Sequence, residues 1–488
     1  MMRRAHSALT LAASAALLVG CEVGPDFQRP AAPQATGYTP EPLPSSTAAA
    51  DTHGGETQLL IAGRDIPGDW WALYRSPALN ALIEDAIKAN PNLDAARAAL
   101  RQAHELELAG VGALFPTVSA GASATREKES LAGFGLGASS SIFSVNSASL
   151  TVDYALDIFG GTRRNIESLA AETEFERFEL EATYLSLTAN VVTAAVAEAS
   201  LRGQIAATQQ IIDIESQELE RLNRDFAAGA ANNTAVLQQA ATLAQTRATL
   251  PPLEKALAQT RDLLAVLLGR LPSDMPATEF ALADLELPQE LPLTLPSLLV
   301  EQRPDIRAAE AQLHAASAQI GVALANMLPQ LSLSGSLGTI STGAIFQPGT
   351  GVWSLGGSLV QPLFEGGTLL HRKRATEAAF DQAAAQYRQT VLIAFQNVAD
   401  SLRALELDAD ALNAQLAAER AAADSLTVAR RQFELGSGTY LTLLNAEQTY
   451  QQAHITLVEA QAARFSDTAA LFQALGGGWW NRTDFASR

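Results

Sequence analysis

The sequence predicts a mainly α chain with a small β part, laid out as two structural repeats. Three observations predict it. A set of landmark residues recurs in the same order along the chain, two long stretches carry apolar residues at helical spacing, and two pairs of short segments alternate apolar and hydroxyl-bearing residues.

The first twenty residues hold no acid, begin with Arg3 and Arg4 and continue into an apolar run from Ala8 to Val19, the charge and length of a secretory signal. Leu18-Val19-Gly20-Cys21 follows, and Cys21 is the only cysteine in the chain, so no internal disulfide can form. This run resembles the lipobox of bacterial lipoproteins, which makes Cys21 the expected lipidation site and the first mature residue. Several acyl chains on one residue anchor stably, at roughly 0.8 kcal/mol per buried CH2.

The formal net charge of −19 argues against a nucleic-acid partner. After the signal, no segment holds the eighteen or so uninterrupted apolar residues of a spanning helix, so a membrane crossing must use β-strands.

Asn90-Pro91-Asn92-Leu93-Asp94-Ala95-Ala96 aligns with Arg303-Pro304-Asp305-Ile306-Arg307-Ala308-Ala309 at an offset of 213. Phe115-Pro116 then falls on Leu328-Pro329. Further on, Leu156 to Thr162 answers Pro362 to Thr368, and Phe226-Ala227-Ala228-Gly229 answers Phe433-Glu434-Leu435-Gly436. Between the copies lie Pro272, Pro276, Pro288, Pro292 and Pro296, the composition of a connector. The boundaries read from these patterns are 1–20 for the signal, 21–70 for a lipid-anchored N-terminal segment, 71–270 for the first repeat, 271–296 for the connector, 297–476 for the second repeat and 477–488 for a tail.

Strands are predicted at about 117–126 and 149–157, and at about 330–340 and 353–361, from alternation such as Leu331, Leu333 and Leu337 against Ser332, Ser334 and Ser336. The segments Glu127–Ala148 and Ser341–Val352 read as loops. A soluble half-buried sheet alternates in the same way. Here, however, the polar faces are mostly Ser, Thr and Gly, as a water-filled lumen permits.

From Gly161 to Phe226 no proline interrupts the chain, and residues from Leu180 to Phe226 keep an apolar stripe; Val391 to Phe433 repeats it. A helix of some 65 residues reaches about 100 Å. After Phe226 and after Phe433 a short Gly-bearing segment turns the chain back into helices of roughly Thr234–Gly269 and Thr439–Gly476. Four strands cannot close a barrel, and open edges in lipid cost several kcal/mol per unpaired group, so several copies must share one barrel.

At this point the chain resembles the outer-membrane factor family, the TolC/OprM-like exit ducts, and within it the NodT-type lipoprotein branch. The resemblance rests on Cys21-Glu22-Val23-Gly24-Pro25-Asp26-Phe27, Trp70-Trp71-Ala72-Leu73-Tyr74, Asn90-Pro91, Arg303-Pro304-Asp305, Pro362-Leu363-Phe364-Glu365-Gly366-Gly367 and Phe433-Glu434-Leu435-Gly436 with Tyr440-Leu441. It implies a homotrimer with a twelve-stranded transmembrane β-barrel and long helical hairpins forming a periplasmic α-barrel. It further implies docking to a periplasmic adaptor protein and an inner-membrane transporter of the resistance-nodulation-division class, in a pump that exports drugs or other small molecules. Export of proteins or of metal ions are alternatives, as is a non-conducting periplasmic coiled-coil scaffold.

By the same resemblance the duct closes at Leu441, Thr442, Leu444 and Asn445, with Gln238 as the counterpart in the first repeat; the adaptor-docking tips fall at Phe226, Gly229, Phe433 and Gly436. None of the predicted gate residues is acidic, so closure is expected to vary little between about pH 7 and pH 4.5. Glu434 and Glu447 nearby read as solvated helix charges.

No catalytic constellation is found and no cofactor is expected beyond the lipid on Cys21. His104-Glu105 lacks a second histidine four residues after the first, so the zinc-protease pattern fails. The remaining histidines are scattered, which leaves no expected metal site.

Overall fold

The computed structural model describes residues 22–130 and 140–482. The signal segment, Cys21 and the last six residues lie outside them.

Strand β1 (Leu59–Ala62) leads into helices α1 (Pro77–Ala89) and α2 (Pro91–Gly112), then β2 (Thr117–Ser130) and β3 (Ser140–Leu156), then α3 (Gly161–Ala227) and α4 (Asn233–Leu267). After β4 (Glu290–Leu293) and α5 (Pro296–Gln302) the plan repeats with α6 (Pro304–Ala325), β5 (Gln330–Ser341), β6 (Gly351–Val360), α7 (Thr368–Glu434) and α8 (Tyr440–Ala474). In the long helices the duplication holds to the residue: α2 and α6 each have 22 residues, α3 and α7 each 67, α4 and α8 each 35. At 1.5 Å per residue the 67-residue helices run about 100 Å.

Local chemistry sets these boundaries. Pro91 and Pro304 stand at first helical positions, where a missing N–H costs nothing. Before α2, the side-chain oxygen of Asn90 accepts from the backbone of Asn92 at 2.9 Å. At the start of α3, Asp157 accepts from the backbone N–H of Thr162 and of Arg163, each at 2.9 Å, which satisfies two otherwise orphaned donors. Helix α4 carries Pro251 and Pro252 in its interior on an exposed surface, so the carbonyls they free face solvent.

The chain divides into two compact units, the first holding residues up to Pro30, Ala99–Arg177 and Ala308–Arg388, the second Ala31–Ala98, Phe178–Arg307 and from Gln389 onward. The first unit contains one antiparallel sheet in the order β2-β3-β5-β6, which leaves β2 and β6 as edges. Its register puts Ala120, Leu150, Leu337 and Trp353 in one cross-strand row, and Ser119, Thr151, Ser336 and Ser354 in the next. The alternation read from sequence therefore becomes one apolar and one hydroxyl-rich face.

Both hairpin segments expected as loops are corrected at their ends. Glu127–Ser130 and Ser140–Ala148 continue the β2–β3 ladder, from Glu127 opposite Phe143 to Ser130 opposite Ser140. Backbone pairing needs no apolar face, so a ladder outlasts the alternation that reveals it. The Pro-rich connector also carries β4, which pairs in parallel with β1, Leu59 opposite Glu290 to Ala62 opposite Leu293. Four residues are too few for a periodicity to show.

In the second unit Trp70, Tyr74, Phe465 and Phe472 are fully buried together, with Trp70 stacked on Phe472 at 5.2 Å and Tyr74 Oη donating to the Phe465 carbonyl at 2.8 Å. One helix, α3, has an 18-residue window with mean hydropathy 1.2, but 61% of that window is buried within the protein, as a coiled-coil seam requires.

Candidate functional site

The sheet of the first unit leaves large apolar side chains uncovered: Trp353, Leu355 and Leu359 on β6 and Leu337 on β5 are all more than half exposed. On the opposite face Ser123 bonds Ser147 at 2.9 Å and Ser336 bonds Ser354 at 2.8 Å. An exposed apolar patch of this extent backed by a hydroxyl face suits a sheet with lipid on one side and water on the other.

The residues that follow Cys21 are tied to this unit. Val23 N–H donates to the Phe159 carbonyl at 3.1 Å, and buried Arg164 donates to the Val23 carbonyl and pairs with Glu22, Asp26 and Glu167. Phe27 stacks on His314, whose ring nitrogen meets Glu167 at 2.8 Å. Gly24, with φ of +107°, lies so close to Gly321 that an added Cβ would fall 2.5 Å from its Cα. Arg164 gave no sequence signal, because nothing in a helix pattern shows which surface a tail will cross.

The predicted tips are two matching turns. At Gly229 (φ +76°) and Gly436 (φ +69°) the backbone is left-handed, and each helix closes with paired bonds: Gly229 N–H to the Phe226 carbonyl and Ala230 N–H to that of Asp225, Gly436 N–H to Phe433 and Ser437 N–H to Gln432. Asn232 and Thr439 then cap the returning helices through the backbone N–H of Ala235 and Thr442. Phe226 is nearly half exposed. Phe433 instead packs against Leu222, Tyr440 and Leu444, with the Arg221 guanidinium 4.9 Å from its ring centroid.

The predicted gate residues separate by face. Gln238, Leu441, Thr442 and Asn445 are exposed, whereas Leu444 is buried in the seam between the two helical hairpins. Gln238 is not the residue that meets the second hairpin; its neighbour Gln239 is, accepting a hydrogen bond from Tyr440 Oη and donating to the Glu215 carbonyl at 3.0 Å.

Glu447 requires a correction. Far from being solvated, it is 4% exposed, in the seam position that follows Tyr440, Leu443 and Leu444 at helical spacing. Burial, reinforced by the charges of Glu218 and Glu215, pushes its carboxyl up to about 7 against the pull of Arg430 and Arg221. Glu215, fully buried on α3, is raised for the same first reason, and Thr246 Oγ1 donates to its Oε1 at 3.0 Å. The seam spacing Tyr440, Leu443, Leu444, Glu447 was present in the sequence and identifies the site. Glu434, by contrast, is exposed beside Arg431, as expected.

The histidines stay apart, and no group of three metal-ligating side chains occurs among the described residues.

A sheet with one lipid-suited face, joined in sequence to two over-long helical hairpins, defines the subunit of an outer-membrane channel. The chain belongs to the outer membrane efflux protein family, whose description matches twice, over residues 82–270 and 295–477. It is 31% identical over 490 residues to the probable efflux pump outer membrane protein TtgC of Pseudomonas putida, covering 99% of this chain and 98% of that one. It is 33% identical over 463 residues to the pyoverdine export outer membrane protein OpmQ of Pseudomonas aeruginosa, covering 91% and 94%. The open-state structure of the MtrE outer membrane channel of Neisseria gonorrhoeae superposes with a TM-score of 0.79 at 28% identity, covering 95% of this chain and all of that one. The protein is thus an outer-membrane efflux component of a bacterium.

Proposed function

We propose that three copies of this chain close one twelve-stranded barrel and form the passive exit duct of a tripartite pump. The observation that carries this reading is the pair of open edges, β2 and β6, on a four-stranded sheet whose apolar face is uncovered. In lipid those edges must pair. Two copies would give eight strands, an interior filled by side chains; three give twelve, with room for a lumen lined by the Ser-rich face.

The duct takes its cargo from a periplasmic adaptor and an inner-membrane transporter of the resistance-nodulation-division class, and the tips at Phe226, Gly229, Phe433 and Gly436 meet the adaptor. The relatives' names, an efflux pump protein and a pyoverdine exporter, favour small organic cargo. Leu441, Thr442, Asn445 and Gln238 face the axis as an uncharged constriction, with Leu444 packed behind them. Cys21 carries the lipid; Glu22 and Val23, held beside Phe159, bring the anchor to the end of β3. No catalysis is part of this reading.

The test is assembly and transport together. Cross-linking of the purified protein gives a trimer, and deletion of the gene raises accumulation of a pump substrate. A stable monomer, or unchanged accumulation with every substrate tried, would overturn the reading.

A further inference from the structure

Glu447 and Glu215 face one another's charge across the seam between the two helical hairpins, and each buries an Oε2 atom that has no hydrogen-bond partner among the described residues. A buried carboxylate oxygen without a donor costs far more ionised than protonated. The groups around Glu447 come from every helix of the seam. Helix α3 contributes Glu215, Glu218 and Arg221, and α7 contributes Arg430, whose Nη2 stands 3.9 Å from Glu447 Oε1. Tyr440 precedes it on α8, and α4 supplies the neutral Gln239 and Thr246, bound to Tyr440 and Glu215.

Two acids on α3 thus oppose Glu447, and the one cation of α7 within reach stands beyond hydrogen-bonding distance. Arg221 is occupied with Glu218 at 3.1 Å. Tyr440 and Leu444, which cement α8 to Leu222 of α3, lie within two helical turns of this carboxyl on the same face. Losing the proton to solvent therefore loads charge onto the surface that joins the hairpins.

We propose that Glu447 is a protonation-controlled latch: as a neutral acid it keeps the first half of α8 packed against α3, and once ionised it favours withdrawal of that half-helix from α3, which opens the duct. This rests on the duct reading above. Because the carboxyl binds its proton more tightly packed than released, raising the pH favours release, by up to about tenfold per unit between about pH 4.5 and pH 7, with no further gain above.

The experiment compares the full-length protein and Glu447→Gln in planar bilayers and, in parallel detergent samples, by infrared difference spectroscopy of carboxyl groups. The latch predicts that wild-type open occupancy climbs as pH rises from about 4.5 to about 7 and then levels, and that Glu447→Gln stays at the low-pH level throughout. It also predicts that the protonated-carboxyl intensity surviving above the ordinary carboxylate range includes a component that ionises near pH 7 and is missing in Glu447→Gln, while the component of Asp467, which ionises near pH 8, stays in both proteins. A flat wild-type profile, an unchanged climb in Glu447→Gln, or ionisation of Glu447 with the ordinary carboxylates overturns the latch. If neither protein conducts at any pH, the duct reading itself fails, and the infrared titration still decides whether Glu447 holds its proton in the seam.

Discussion

The guanidinium of Arg303 donates a hydrogen bond to the carbonyl oxygen of Ala474 at 3.0 Å, so the residue that opens the second repeat's first long helix also caps its last one. The first repeat does the same with a different side chain: Asn90 Nδ2 donates to the carbonyl of Leu267 at 2.9 Å. Both acceptors are the last residues of their helices, α8 and α4. A motif that reads in sequence as a helix start is in the fold a joint between the two ends of each repeat.

Arg303→Ala removes the cap from Ala474 and two bonds to Asp305 at a nearly buried site, and should cost about 2–3 kcal/mol. Asn90→Ala should cost roughly 1 kcal/mol. Thermal unfolding in detergent measures both. Equal, negligible losses would mean the joints do not hold the repeats closed.

The glycines after these helices behave unlike those at the tips. A Cβ at Gly269 would lie 2.1 Å from the Ala89 carbonyl oxygen and one at Gly476 2.6 Å from that of Gln302, whereas Gly229 and Gly436 have nothing within 4 Å. Gly269→Ala should therefore abolish or sharply lower folded yield. Gly229→Ala should cost only the left-handed backbone, about 1 kcal/mol. Similar yields for the two would refute the contrast.

Gly229→Val and Gly436→Val add β-branching to the same turns and should distort them while trimers still form. Efflux in cells should fall with assembly on native gels unchanged. Normal efflux by both variants would remove these turns from the adaptor contact.

Among the described residues of the second unit, Glu447, Glu215 and Asp467 carry raised proton affinity, the last pushed up to about 8 by burial and by its hydrogen-bonded neighbour Asp408. The folded protein then binds more protons than the unfolded one between the ordinary carboxylate range and about pH 7 to 8. The contribution of these groups is accordingly full below about pH 4 and is lost as pH rises, through about pH 7 for Glu447 and about pH 8 for Asp467, by up to roughly 1.4 kcal/mol per unit per group. The unfolding temperature should be lower at pH 8 than at pH 5. A melting temperature that holds steady or rises would contradict the burial of these carboxyls.

The duplication, the paired helices and the alternating strands were legible because each is periodic over many residues: the Ser/Leu alternation of 331–337 leads directly to two faces, and the Phe-x-x-Gly landmarks to two left-handed turns. What escaped was decided by contacts across long sequence separations. The four-residue strands β1 and β4 are too short to show a period, and the segments 127–130 and 140–148 keep their ladder without an apolar face. The role of Arg164 depends on where residues 22–27 cross it. Glu447 was visible, since it continues the Tyr440-Leu443-Leu444 stripe, but a carboxylate on an apolar stripe reads as solvent-facing until a second helix is seen to cover it.

The account stands or falls on conduction through the assembled protein, which recordings of single channels in planar bilayers read directly. The duct predicts discrete, long-lived steps of uniform size above pH 7, from a sample shown by cross-linking to be trimeric. A trimeric, folded sample that inserts and yields no discrete steps at any pH or voltage would contradict it.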